Sequence, residues 1–100
     1  MIRRTIVKSE TITVSTTAIG LTATYLDRAT GVNKVLMYVE SNPIRYWRSG
    51  LAPTSTTGFP AFDGNILEFD IGEAANLKMI RSGGADAKVH VEYIAESADK

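Results

Sequence analysis

The stretch Lys88-Val89-His90-Val91-Glu92-Tyr93 decides the fold class. Val89, Val91 and Tyr93 alternate with Lys88, His90 and Glu92, and successive side chains of an extended chain point to opposite faces. The run reads as a strand with one face on a core and the other in solvent. Ile66-Leu67-Glu68-Phe69-Asp70-Ile71 repeats the pattern, with Leu67, Phe69 and Ile71 inward and Glu68 and Asp70 outward. Val35-Leu36-Met37-Tyr38-Val39 is apolar throughout, which predicts a central strand covered on both faces. Shorter strands are predicted over 77–81 and 43–48, the latter opening on Pro43, where a missing N–H costs least.

Further out, Ile2, Ile6, Val7, Ile12 and Val14 stand among Thr5, Thr11, Thr13, Thr16 and Thr17, a β-branched composition that favours strands. Residues 18–28 fit either a strand from Ile19 or a short helical turn near Tyr25-Leu26-Asp27-Arg28. Turn signals recur at 29–31, 41–43, Asp63-Gly64-Asn65, Gly72 and 82–86, and the last is expected to be a hairpin whose glycines take positive φ. Helical periodicity is nearly absent. The expectation is all-β: a single antiparallel β-sandwich domain over residues 1–100, jelly-roll-like or Greek key and partly barrel-like.

One hundred residues make one ordinary domain, and 44% hydrophobic with 22% charged residues is a globular composition. Eleven basic residues balance eleven acidic ones, so the clustered positive charge that phosphate binding needs is lacking, and no nucleic-acid partner is expected. Arg3, Arg4 and Lys8 form only a small basic cluster. With no cysteine, disulfides, thiolate metal sites and cysteine nucleophiles are excluded. The N-terminus lacks the apolar core of a secretion signal and no apolar run approaches the ~20 residues that span a bilayer, so no membrane partner is expected.

The chemistry-bearing residues are sparse. A Ser-His-acid relay needs its histidine between a nucleophile and a carboxylate, and His90, the one histidine, lies mid-strand on the outward face. Zinc needs three or four ligands at close spacing, and Asp63-Gly64-Asn65 is better read as a tight turn than as a calcium loop. Glu68 and Asp70 share a face as ordinary solvated strand positions, not as a glycosidase pair. Ser82-Gly83-Gly84 lacks the Lys-Ser/Thr of a phosphate loop. No enzyme, metal or cofactor is expected.

Recognition residues are better represented. In Ile44-Arg45-Tyr46-Trp47-Arg48 the two large aromatics fall on opposite faces, so either Ile44, Tyr46 and Arg48 or Arg45 and Trp47 are left outward. Trp, Tyr and Arg carry much of the binding energy at interfaces, while a core aromatic covered by an arginine stem is the ordinary alternative. The segment 51–64 breaks the strand rhythm with Pro53, Thr54-Ser55-Thr56-Thr57, Gly58, Phe59, Pro60 and Phe62, and reads as one long loop. Residues Ile44, Arg45, Tyr46, Trp47, Arg48, Pro53, Phe59 and Phe62 are the candidate protein–protein contacts. Deleting 54–58 is expected to spare the fold and to weaken binding to the partner.

The run Asn42-Pro43-Ile44-Arg45-Tyr46-Trp47-Arg48-Ser49-Gly50, then Ala52-Pro53-Thr54, Gly58, and the stretch from Ile80-Arg81 to Val89, Val91 and Tyr93, resembles a pattern of small tailed-bacteriophage proteins encoded among virion structural genes. The likeness runs from Asn42 to Tyr93; before it only the threonine-rich, β-like character is shared. Ser49 departs from the pattern, where an acidic residue is more usual before the glycine. The resemblance implies a virion protein made in the host cytoplasm. The expected role is a capsid decoration or cement protein that binds the major capsid protein or other virion proteins as a homo-oligomer, with a trimer the first expectation. A head-tail connector, a tail component, or a carbohydrate-binding module stacking sugars on Trp47 or Tyr46 are the alternatives.

Overall fold

In the computed structural model, residues 2–98 are described, and they form two antiparallel sheets. The first has strand order β1-β7-β2-β5, from β1 (Ile2–Val14), β2 (Lys34–Glu40), β5 (Ile66–Asp70) and β7 (Ala87–Ala98). The second has order β4-β3-β6, from β3 (Ile44–Trp47), β4 (Phe59–Ala61) and β6 (Lys78–Arg81). The chain changes sheet after β2, β4, β5 and β6. Both sheets feed one core: Val35, Met37, Phe69, Val89, Val91 and Tyr93 from the first, Ile44, Ala61 and Met79 from the second.

The alternation read from the sequence sets this arrangement. Strand β7 turns Ala87, Val89, Val91 and Tyr93 into the core and is paired along both edges, to β1 and to β2. A bulge between Ile6 and Lys8 shifts the β1 register by one residue. Because side chains alternate with period two, that one residue moves Ile6 to the outer face opposite Ile94, while Ile12 and Val14 face the core.

The 15–33 segment is fastened to the sheet by a polar group at the core margin. The Glu10 carboxylate accepts from the Tyr93 hydroxyl and from Thr22 Oγ1 at 2.9 Å, and the Thr22 N–H donates to the Tyr93 oxygen at 3.2 Å. Tyr25 adds its ring to Tyr93 at a centroid distance of 5.1 Å. The uncertain stretch 18–28 resolves as a single bridge from Ile19 to Met79 followed by a 3-10 turn, Ala23–Leu26.

Five expectations need correction. Strand β2 is central, yet only its inner face is covered: Tyr38 is 40% exposed and Leu36 half-buried on the outer side. Strand β5 ends at Asp70, because Ile71 starts a helical turn, α1 (Ile71–Ala75), whose Glu73 carboxylate accepts from the Asp70 N–H at 3.1 Å. The 51–64 segment contains β4, an edge strand that tolerates Pro60. The 82–86 turn links strands of different sheets and is no hairpin. Neither Gly83 nor Gly84 takes a positive φ; Gly64, in the tight turn 63–65, does.

Burial first, and then the hydrogen bond to Glu10, raise the Tyr93 pKa well above that of a free phenol. The unfolded chain thus ionises first, so the contribution of this group is full below pH ~10 and declines as pH rises toward the folded value. Denaturant titrations between pH 8 and 12 are expected to show a steeper alkaline loss of stability in the native protein than in Tyr93→Phe. Equal slopes would contradict this assignment.

Candidate functional site

Strand β3 sorts its residues by face, and this settles which aromatic points inward. Ile44 has no exposed surface and lies in the core. Tyr46 follows it inward, with its ring between Phe59 and Phe69, both at centroid distances of 5.8 Å. Arg45 and Trp47 take the outer face. Trp47 meets the Phe59 ring edge-on at 5.3 Å, and the Arg48 guanidinium lies 5.6 Å from the same ring. Arg48 is fixed from the other side by the Glu73 carboxylate at 2.8 Å. The result is a chain of rings, Phe69-Tyr46-Phe59-Trp47, running from the core to the surface. Each such pair contributes roughly 0.5–1.5 kcal/mol beyond its buried area.

Of the eight candidate contact residues, six reach the surface. Ile44 does not, and Pro53 is buried, so those two serve the fold. Phe59 and Phe62 are 46% and 56% exposed; Leu51, inside the 51–64 segment but not among the eight candidates, is 62% exposed. These apolar side chains occupy the ends of β4 and the connection leading into it. Their exposure was legible only as a break in strand rhythm.

The backbone beneath this edge is closely fitted. Gly58 has φ +121°, and a Cβ there would lie 3.1 Å from the Tyr46 oxygen and 3.2 Å from Pro53 Cβ. The Gly58 carbonyl accepts from Arg45 Nη1 at 2.8 Å, while the buried Arg45 Nε has no partner among the described residues. Thr54 and Thr57 close their own turn through paired backbone bonds and a 2.6 Å hydroxyl contact. Removal of 54–58 would take away a fitted glycine and the acceptor of Arg45, so the deletion expected to spare the fold would cost these contacts.

A second polar group comes from the outer face of the four-stranded sheet, where the sequence could not show strand neighbours. His90 Nδ1 is 3.0 Å from Thr11 Oγ1 and Nε2 is 3.0 Å from Glu40 Oε1. Hydroxyl, imidazole and carboxylate thus come from β1, β7 and β2, with the connectivity of a hydrolytic relay. Histidine and glutamate side chains are 43% and 45% exposed, so no closed cleft surrounds them. The ladder N–H groups lie in the plane of the sheet, while the Thr11 hydroxyl stands off its face. Donors to an oxyanion there, worth about 3 kcal/mol each in hydrolases, would have to come from side chains.

Toward the other end of the same face, Arg4, Glu96, Lys34 and Glu68 link all four strands by ion pairs of 2.6, 3.1 and 3.1 Å. Hydrogen bonds from Arg4 and then Lys34 hold the Glu96 carboxyl below its usual range. Among the described residues no three histidine or carboxylate side chains gather to hold a metal ion. No helix among them is long and apolar enough to cross a membrane. Comparison of the chain with protein-family models, curated proteins and solved structures finds no match.

Replacing Gly58 by alanine is expected to lower stability by about 1–3 kcal/mol, from the strained φ together with the Tyr46 and Pro53 contacts. Thermal denaturation reads this directly, and an unchanged Tm would show that the 51–58 backbone is not seated as described.

Proposed function

We propose that this protein is a non-enzymatic virion subunit, a capsid decoration or cement protein that docks on the major capsid protein through the Trp47-Phe59-Phe62 edge. The observation that carries the reading is this edge: three aromatic side chains and Leu51 left partly or largely in solvent, on backbone held firmly by Gly58 and Arg45. Large apolar side chains on a rigid support are suited to burial against a partner, because little side-chain or loop entropy is lost on docking. The likeness of the Asn42–Tyr93 stretch to small tailed-phage proteins supplies the class of partner.

Two sheets sharing one core support a β-sandwich of the kind found in jelly-roll and Greek-key domains. Many copies on a symmetric shell turn weak single contacts into firm retention, and a cyclic trimer fits a lattice with threefold points. The same edge would serve a head-tail or tail position, which differs in where the protein sits on the particle. The Thr11-His90-Glu40 group is read as cross-strand bonding on an open sheet face. Trp47 and Tyr46 are poor sugar platforms, since Tyr46 is enclosed by two rings and Trp47 is engaged by Phe59.

Phages lacking the protein, incubated with purified protein and imaged by electron microscopy, are expected to gain density over the whole shell. Phe62→Asp, a change at an exposed site, is expected to abolish loading while leaving the Tm unchanged. Full occupancy by this variant, or density at a single vertex, would refute the docking edge or the shell position respectively. Turnover of an activated ester that is lost in His90→Ala would refute the non-enzymatic reading.

A further inference from the structure

The outer face of the four-stranded sheet holds a depression of about 340 Å³ between its two polar rows. Its sides are Ser9 and Thr11 of β1, Leu36 and Tyr38 of β2, and His90 and Glu92 of β7. The register places Ser9, Glu92 and Leu36 in one row across the strands, and Thr11, His90 and Tyr38 in the next. Leu36 and the 40% exposed Tyr38 ring therefore form an apolar side, with the Glu92 carboxylate one strand away and the Ser9 and Thr11 hydroxyls two strands away.

We propose that this depression binds a neutral carbohydrate, one sugar ring of an oligosaccharide chain that continues along the open sheet face. A pyranose has an apolar C–H face and an equatorial rim of hydroxyls that both donate and accept. The Tyr38 ring with Leu36 matches the first, and the Glu92 carboxylate with the Ser9 hydroxyl matches the second. Neither Glu92 nor Ser9 makes a side-chain hydrogen bond or ion pair among the described residues, although Glu92 lies in the field of Arg4, so both can bond a ligand without breaking a contact. His90 makes no bond to the ligand, since Thr11 and Glu40 hold its ring on both nitrogens; with Tyr38 6.1 Å from it, it is a fixed wall beside the rim. A wall fixed in advance loses little entropy when the ligand packs beside it.

Charge narrows the class. The Glu92 carboxylate faces the depression and Glu40 stands behind His90, while Arg4 and Lys34 in the framing row are already paired with Glu96 and Glu68. Uronic acids, sialic acids and phosphorylated sugars would meet like charge there. The face is also separate from the Trp47-Phe59-Phe62 edge, which belongs to the other sheet, so this inference stands or falls apart from capsid docking.

The test is a chemical-shift titration of the isotope-labelled protein with tetrasaccharides of glucose, galactose, mannose and N-acetylglucosamine, and with a tetramer of galacturonic acid. At least one neutral tetrasaccharide is expected to saturate, with shifts confined to 9–11, 36–38 and 90–92, and the uronic acid is expected to shift none of them. Tyr38→Ala should weaken that binding about tenfold, the loss of one stacked ring, and Glu92→Gln should weaken it while the Tm holds. Absence of binding by all four neutral probes would overturn the proposal. So would shifts centred on 47–62, or binding that Tyr38→Ala leaves intact.

Discussion

Strand β7 is hydrogen-bonded along both edges for most of its 12 residues, and the rest of the molecule is arranged about that double pairing. Its inward side chains, Ala87, Val89, Val91 and Tyr93, supply the middle of the core. Its outward side chains, His90, Glu92 and Glu96, are the central members of each polar row on the outer face. Tyr93 adds the polar anchor: with Glu10 it holds the long connection between β1 and β2 against the sheet. A slip of one residue in this strand would exchange the core and solvent sets together, which is why its register is strongly specified.

That strand was also the most legible part of the sequence, because Val89-His90-Val91-Glu92-Tyr93 carries strict alternation. The same rule misled at Val35-Leu36-Met37-Tyr38-Val39, where an apolar run implied two covered faces. Leu36 and Tyr38 instead occupy an open face framed by charged rows, and cross-strand neighbours are invisible in one strand's sequence. Ile71 continued an alternating pattern but was claimed by the helix that Asp70 and Glu73 start, a local hydrogen-bond signal that outweighs one more apolar residue. Strand β4 was hidden by Pro60 and its three-residue length; it exists because β3 offers it a partner edge.

The functional residues divide in the same way. Tyr46 and Trp47 were known to take opposite faces, but which one entered the core depended on Phe59 and Phe69, distant in sequence and adjacent in space. Ile44 and Pro53 sit inside and support the edge without presenting it. The approach of Thr11 and Glu40 to His90 is a consequence of sheet order β1-β7-β2 and left no trace in spacing. The two sheets thus have different surfaces: an aromatic edge on the smaller one, and a polar-framed apolar depression on the larger.

Native-state amide hydrogen exchange, read residue by residue by NMR, tests the central place of β7 most directly. The amides of 89–94, protected by β1 on one side and β2 on the other, are expected to exchange slowest, at the rate set by global unfolding. Those of 2–5, on an edge strand beyond the end of β2, are expected to exchange far faster. Protection of β7 no greater than that of β1 would contradict an architecture built around it.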